Sequence, residues 1–73
     1  MSGVAAIGED VRLAGYALAG VTIHPAQDAL QAHEAFEQLP ADLAVLLLTP
    51  TAHAALAARL QERPSLLCVE VPL

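Results

Sequence analysis

Apolar and polar positions fall in blocks along this chain, and the period changes at nearly every glycine or proline. Residues 3–7, "GVAAI", are an apolar run without polar alternation, the pattern of a strand buried on both faces. Gly8 punctuates the run, and Glu9 and Asp10 precede a stretch of helical period. There Val11, Ala14 and Leu18 predict the apolar stripe and Asp10 the N-cap. Glu9 sits at the end the helix dipole favours for an acid, and Gly20 falls just past the C-terminus. Gly15 within this helix costs about 1 kcal/mol relative to alanine, which points to close packing on a sheet.

Residues 21–23, "VTI", read as a short β-branched strand stopped by His24-Pro25. A second helix is predicted over 26–39, with Ala26, Ala29, Leu30, His33 and Phe36 at helical spacing and Pro40 as its stop. Residues 42–49, "DLAVLLLT", are the most apolar segment and predict a central strand. Pro50 opens a third helix that runs to about residue 63, before Pro64. Residues 66–71, "LLCVEV", form a last strand ended by Pro72.

Strand and helix alternate, β-α-β-α-β-α-β, in one domain over residues 1–73, so the expected class is α/β with a four-stranded parallel sheet. The expected strand order is 2-1-3-4, a flavodoxin-like half. Right-handed crossovers then place the first helix alone on one face and the second and third on the other. One helix cannot cover four strands. Part of the first-helix face, beside the third and fourth strands, is therefore expected to lack cover. In the last strand Leu67, Val69 and Val71 point one way, and Leu66 and Cys68 the other. An apolar patch left open in so small a domain marks an interaction site.

Charge narrows the choice of partner. Eight acidic residues against Arg12, Arg59 and Arg63, with no lysine, give a formal charge of −5. Nucleic acid and anionic lipid both need clustered cations, so neither is expected as a direct partner. A basic or mixed protein surface fits. Cys68 is the single cysteine, which excludes an internal disulfide and suits a reducing compartment. The start "MSGV" lacks the basic region of a signal peptide, and the run "LAVLLL" (43–48) falls far short of the ~20 residues that span a bilayer.

Candidate chemistry centres on a switch-point loop of Glu9, Asp10 and Thr49, between the carboxyl ends of strands one and three. Two acids there suit a divalent cation, as in phospho-acceptor receiver domains. The third strand, however, ends in Leu48, Thr49 and Pro50 with no carboxylate, and no lysine completes a phosphoryl site. Capping and solvation is the plainer reading. Dinucleotide and P-loop fingerprints fail for want of glycines and lysine respectively. His24, His33 and His53 form no metal-ligand spacing. His33 reads as half-buried, His24 and His53 as exposed, and Cys68 as a structural thiol in a strand. No catalytic residue, metal or cofactor is expected. Phe36 reads as core, and Tyr16 as rim or contact.

Residues 4–21 and the tail "PSLLCVEVPL" resemble the F-subunit family of the V-type and A-type rotary ATPases. That family opens with an apolar strand and Ile-Gly-Asp plus a further acid, then a Thr-Gly-Phe element leading to Leu-Ala-Gly-Val. The matching positions here are Ile7-Gly8-Glu9-Asp10, Ala14-Gly15-Tyr16 and Leu18-Ala19-Gly20-Val21. The family's closing Glu-Ile-Pro corresponds to Glu70-Val71-Pro72, and "AQDALQAHEAFEQL" looks like its acidic second helix. Two departures stand out. Ala14 and Tyr16 replace the Thr and Phe, and the family's usual C-terminal segment with a helix has no counterpart after Leu73. The resemblance implies a non-catalytic component of the central stalk, cytoplasmic and peripheral to the membrane as part of a complex. It would bind the coiled-coil rotor protein of that stalk, the D-subunit, and help couple ATP turnover to ion transport. Candidate contacts are Tyr16, Leu66, Cys68, Glu70 and Leu73. A receiver-like module remains the alternative, as does a domain that self-associates through its last strand or its open sheet face, because that strand carries only Glu70 as a charge.

Overall fold

The structure, a computed structural model, describes residues 3–17 and 20–72. Its elements run β1 (Val4–Gly8), α1 (Asp10–Ala17), β2 (Thr22–Pro25), α2 (Ala29–Glu37), β3 (Val45–Leu48), α3 (Pro50–Leu56), a 3₁₀ turn (Arg59–Glu62) and β4 (Leu67–Glu70). The four strands form one sheet in the order β2-β1-β3-β4, every neighbour parallel. This is the α/β arrangement that the alternating pattern predicts. No helix among the described residues is long and apolar enough to cross a membrane.

The main core lies between the sheet and the α2/α3 layer. Ala5 and Ile7 of β1 and Leu46 and Leu48 of β3 meet Ala32, Ala35 and Phe36 of α2 and Ala52 and Leu56 of α3. A much smaller cluster lies on the other face, where Ala6, Leu13 and Val71 are buried and Tyr16, Val21, Ile23 and Leu47 pack partly against them.

Both early helices bury a different stripe from the one the spacing predicts. In α1 the buried residue is Leu13, with Tyr16 half-buried, while Val11 is 84% exposed and Ala14 is exposed. Leu18 lies outside the described residues. Leu13 and Tyr16 offer more apolar area at i, i+3 spacing than Val11 and Ala14, so burial favours that rotation. In α2, Ala29 and Leu30 are exposed, His33 is half-buried, and Ala32, Ala35 and Phe36 face the sheet. The cap also shortens the helix. Asp28 sits outside the helix and accepts from Gln31 N at 2.8 Å, so the helix begins at Ala29. Ala26 is buried before that break, and a period counted from it runs out of phase.

Two further expectations change. Gly15 is exposed, and nothing lies within 4 Å of where its Cβ would be, so it does not serve close packing. The third helix is not continuous to residue 63. It ends at Leu56, and its continuation tightens to the 3₁₀ turn where Arg59 lies 4.9 Å over the Phe36 ring and pairs with Glu37 at 3.1 Å and Glu62 at 3.3 Å. Gly20 takes the left-handed conformation that suits a residue just past a helix end. Its φ is +87°, and Val21 N donates to Tyr16 O at 3.4 Å.

Gly15→Ala is expected to stabilise the fold by about 0.5–1 kcal/mol, read as a raised urea midpoint, because an exposed helix interior gains only from lost chain entropy.

Candidate functional site: an open half of the sheet

Alternation along the strands sorts their side chains between two layers. Ala5, Ile7, Leu46, Leu48 and Cys68 point to the α2/α3 side. Val4, Ala6, Val45, Leu47, Leu67 and Val69 point to the side of α1. The register aligns them in rows, Val4–Val45–Leu67 and Ala6–Leu47–Val69. α1 packs mainly on β2 and β1. Beyond it the rows run out into the open, with Val45 and Leu47 half-buried, Val69 43% exposed and Leu67 61% exposed. The uncovered strip is two strands wide, β3 and β4. Two strand spacings make about 10 Å, the width of one α-helix.

The contact candidates from the sequence divide around this strip. Tyr16 packs at the small core on the α1 side. Leu66 is buried in the main core on the opposite side and is unavailable to a partner. Cys68 is half-buried against the same core, and burial pushes its thiol up from the usual range. Glu70 is exposed but held to α3, its Oε1 accepting from His53 Nδ1 at 2.7 Å. His53 is thereby engaged and, like His24, half-buried rather than fully exposed. Leu73 lies outside the described residues. Alternation in the last strand already set Leu67 and Val69 on this side, whereas Val45 and Leu47 join them only through the register of β3 with β4. The strand polarity, not any motif, is the signal that finds them.

The switch-point loop is a structural joint. Thr49 is fully buried, and its hydroxyl donates to Glu9 Oε1 at 2.7 Å while accepting from Ala52 N at 3.4 Å. It thus caps α3 and ties it to the loop after β1. Gly8 makes this possible. At φ +155° its missing Cβ leaves the space that the Thr49 Cγ2 and Oγ1 occupy, so any side chain there would overlap them. Gly8 O also accepts from Ala26 N at 2.8 Å, which fixes the entry to α2. The Thr49 hydroxyl holds the Glu9 carboxyl below the usual carboxylate range, helped by a backbone amide, Thr51 and Arg12. Asp10 is the first residue of α1 rather than its cap. Glu9 O accepts from Arg12 N at 3.0 Å, and Asp10 Oδ1 accepts from Gln27 Nε2 at 3.4 Å. Among the described residues no group of three or more His, Cys, Asp or Glu side chains could hold a metal ion.

Fold and site together define a small α/β scaffold with one layer incomplete. Comparison with protein-family models, with curated proteins and with solved structures finds no match.

Gly8→Ala is expected to cost about 2–4 kcal/mol, from overpacking against Thr49 and an unfavourable φ, measured by urea unfolding. Glu9→Gln tests the joint by pH. The folded pKa of Glu9 lies below its unfolded value, so its contribution is fully present above about pH 4.5 and fades as pH falls through the folded value. Wild type should therefore lose its stability margin over Glu9→Gln between about pH 6 and pH 3. A margin that stays constant would show that the hydroxyl does not favour the ionised carboxyl.

Proposed function

We propose that this chain is a non-catalytic interaction component of the rotary-ATPase F-subunit type. It docks on the coiled-coil rotor protein of the complex and helps couple ATP turnover to ion transport. It works on the cytoplasmic side, peripheral to the membrane.

One observation carries the reading. The strip over β3 and β4 is apolar, one helix wide, and flanked by α1 on one side only. A helix laid beside α1 would complete the layer, burying Leu67 and Val69 and deepening the burial of Val45 and Leu47. One helix of a coiled coil presents such a surface, apolar on the side that docks and polar elsewhere. The formal charge of −5 without lysine favours a partner whose flanking positions are basic. The Ile-Gly-acid-acid turn and the Glu-Val-Pro ending, which carry the resemblance to the F-subunit family, bracket the same scaffold.

Co-expression with the coiled-coil rotor protein encoded in the same genome is the direct test, and a complex that survives size exclusion at micromolar concentration is expected. Leu67→Glu and Val69→Glu, both within the open strip, should each weaken it at least about tenfold, whereas Val11→Glu, on the outer side of α1, should leave it unchanged. Absence of a complex, or equal loss in all three variants, would overturn the reading.

A further inference from the structure

β4 is an outer strand of the sheet, and its free edge is unprotected. Between Leu67 and Glu70 there is no lysine, no proline and no bulge, and α3 leans over β1 and β3 rather than beyond β4. Leu67 N donates to Ala44 O at 3.0 Å and Val71 N to Leu48 O at 2.8 Å. Residues 67, 69 and 71 therefore turn their main-chain groups toward β3. By alternation Cys68 and Glu70 turn theirs outward, available to another strand.

We propose that the outer strand to complete this edge is β4 of a second copy of the chain, antiparallel about a two-fold axis through Val69. This does not depend on the helix-docking reading, which concerns the sheet face and not its edge. The register follows by elimination. A two-fold axis perpendicular to the sheet keeps the open faces on one side, so it must pass through a residue rather than between residues. An axis at Cys68 pairs Glu70 with Leu66 of the second copy, but Leu66 N already donates to Arg63 O at 3.0 Å. An axis at Glu70 opposes two glutamates and pairs Cys68 with Pro72, which has no N–H. Only the axis at Val69 gives complete hydrogen-bonded pairs on both sides of it, Cys68 with Glu70 of the second copy and the reverse.

In this register Val69 meets Val69 of the second copy, and Leu67 meets Val71. These apolar cross-strand pairs cover the two exposed side chains of the edge. Glu70 lies opposite the neutral Cys68 and keeps its His53 partner. The two open strips then merge into one, about 19 Å across, or four strand spacings.

The test uses the isolated chain in about 0.3 M salt, which screens the repulsion between two copies of charge −5. Sedimentation up to the order of 100 µM should show a doubling of mass. Across the same dilution series, hydrogen exchange should slow at the Cys68 and Glu70 amides and stay constant at Val69. Cys68→Ser combined with Val69→Cys should form a disulfide-linked dimer on mild oxidation, because a non-hydrogen-bonded antiparallel pair brings Cα atoms to about 4.5 Å. Cys68→Ser combined with Val11→Cys should not. Cys68→Pro removes an outward N–H and no β3 bond, and should leave a folded monomer. A monomer at all concentrations, a dimer that survives Cys68→Pro, or equal cross-linking at positions 11 and 69 would each overturn the proposal. The exchange measurement decides the matter without a variant, should Cys68→Pro fail to fold.

Discussion

Handedness is the constraint on which this molecule depends. Each parallel connection must cross the sheet in the right-handed sense, and the order β2-β1-β3-β4 changes direction once, after β2. That single reversal puts α1 on one face and α2 and α3 on the other. The two faces are therefore unequal by construction. Among the described residues the α2/α3 side holds nearly all the large buried side chains, and the α1 side holds the buried Ala6, Leu13 and Val71. No choice of side chains could correct this, because the shortage is one of helices. The strands nonetheless keep apolar residues on the poorly covered side, which is what turns an incomplete layer into a surface suited to another polypeptide.

The joint at the carboxyl end of the sheet holds the layers in place. β1 and β3 are hydrogen-bonded neighbours, and the loops that leave them must pass each other closely. Gly8 gives up its side chain so that Thr49 can lie against the main chain. Thr49 uses that position to begin α3 and to hold Glu9. A glycine followed by two acids looks, in sequence, like the start of a phosphate or metal site. In three dimensions Glu9 bonds a hydroxyl and Asp10 a glutamine amide. Within the α2/α3 layer Arg59 does comparable work, joining the end of α3 to Phe36 and Glu37 of α2.

The helix faces depart from the apolar spacing in phase, not in element type. The order of strands and helices was legible, because prolines and glycines separate the blocks and the blocks keep their period, but the end of α3 at Leu56 and the 3₁₀ turn after it were not. Nor were the faces of α1 and α2. A helical stripe is counted from an assumed first residue, and each residue of error rotates the count by about 100°. Asp28 caps α2, which begins at Ala29, and the helix turns Ala32, Ala35 and Phe36 to the sheet and leaves Leu30 68% exposed. Strands do not suffer this. Their period of two leaves only two choices, and so the open face could be read from Leu67 and Val69, although Val71 in the same row is buried with Ala6 and Leu13 and the contact value of Leu66 could not survive its burial.

The sequence by itself determined the element order, the parallel sheet and the deficit of cover on one side. These follow from apolar period, breaker positions and the chirality of L-residues, all of which are local or universal. Only the tertiary structure decided which side chains the deficit exposes, that Thr49 rather than a carboxylate completes the turn at Gly8, and that Cys68 and Glu70 present the free edge. Those outcomes depend on register and close approach between segments some 40 residues apart in the chain, as Glu9 and Thr49 are. No local pattern encodes such a distance, and packing must resolve it.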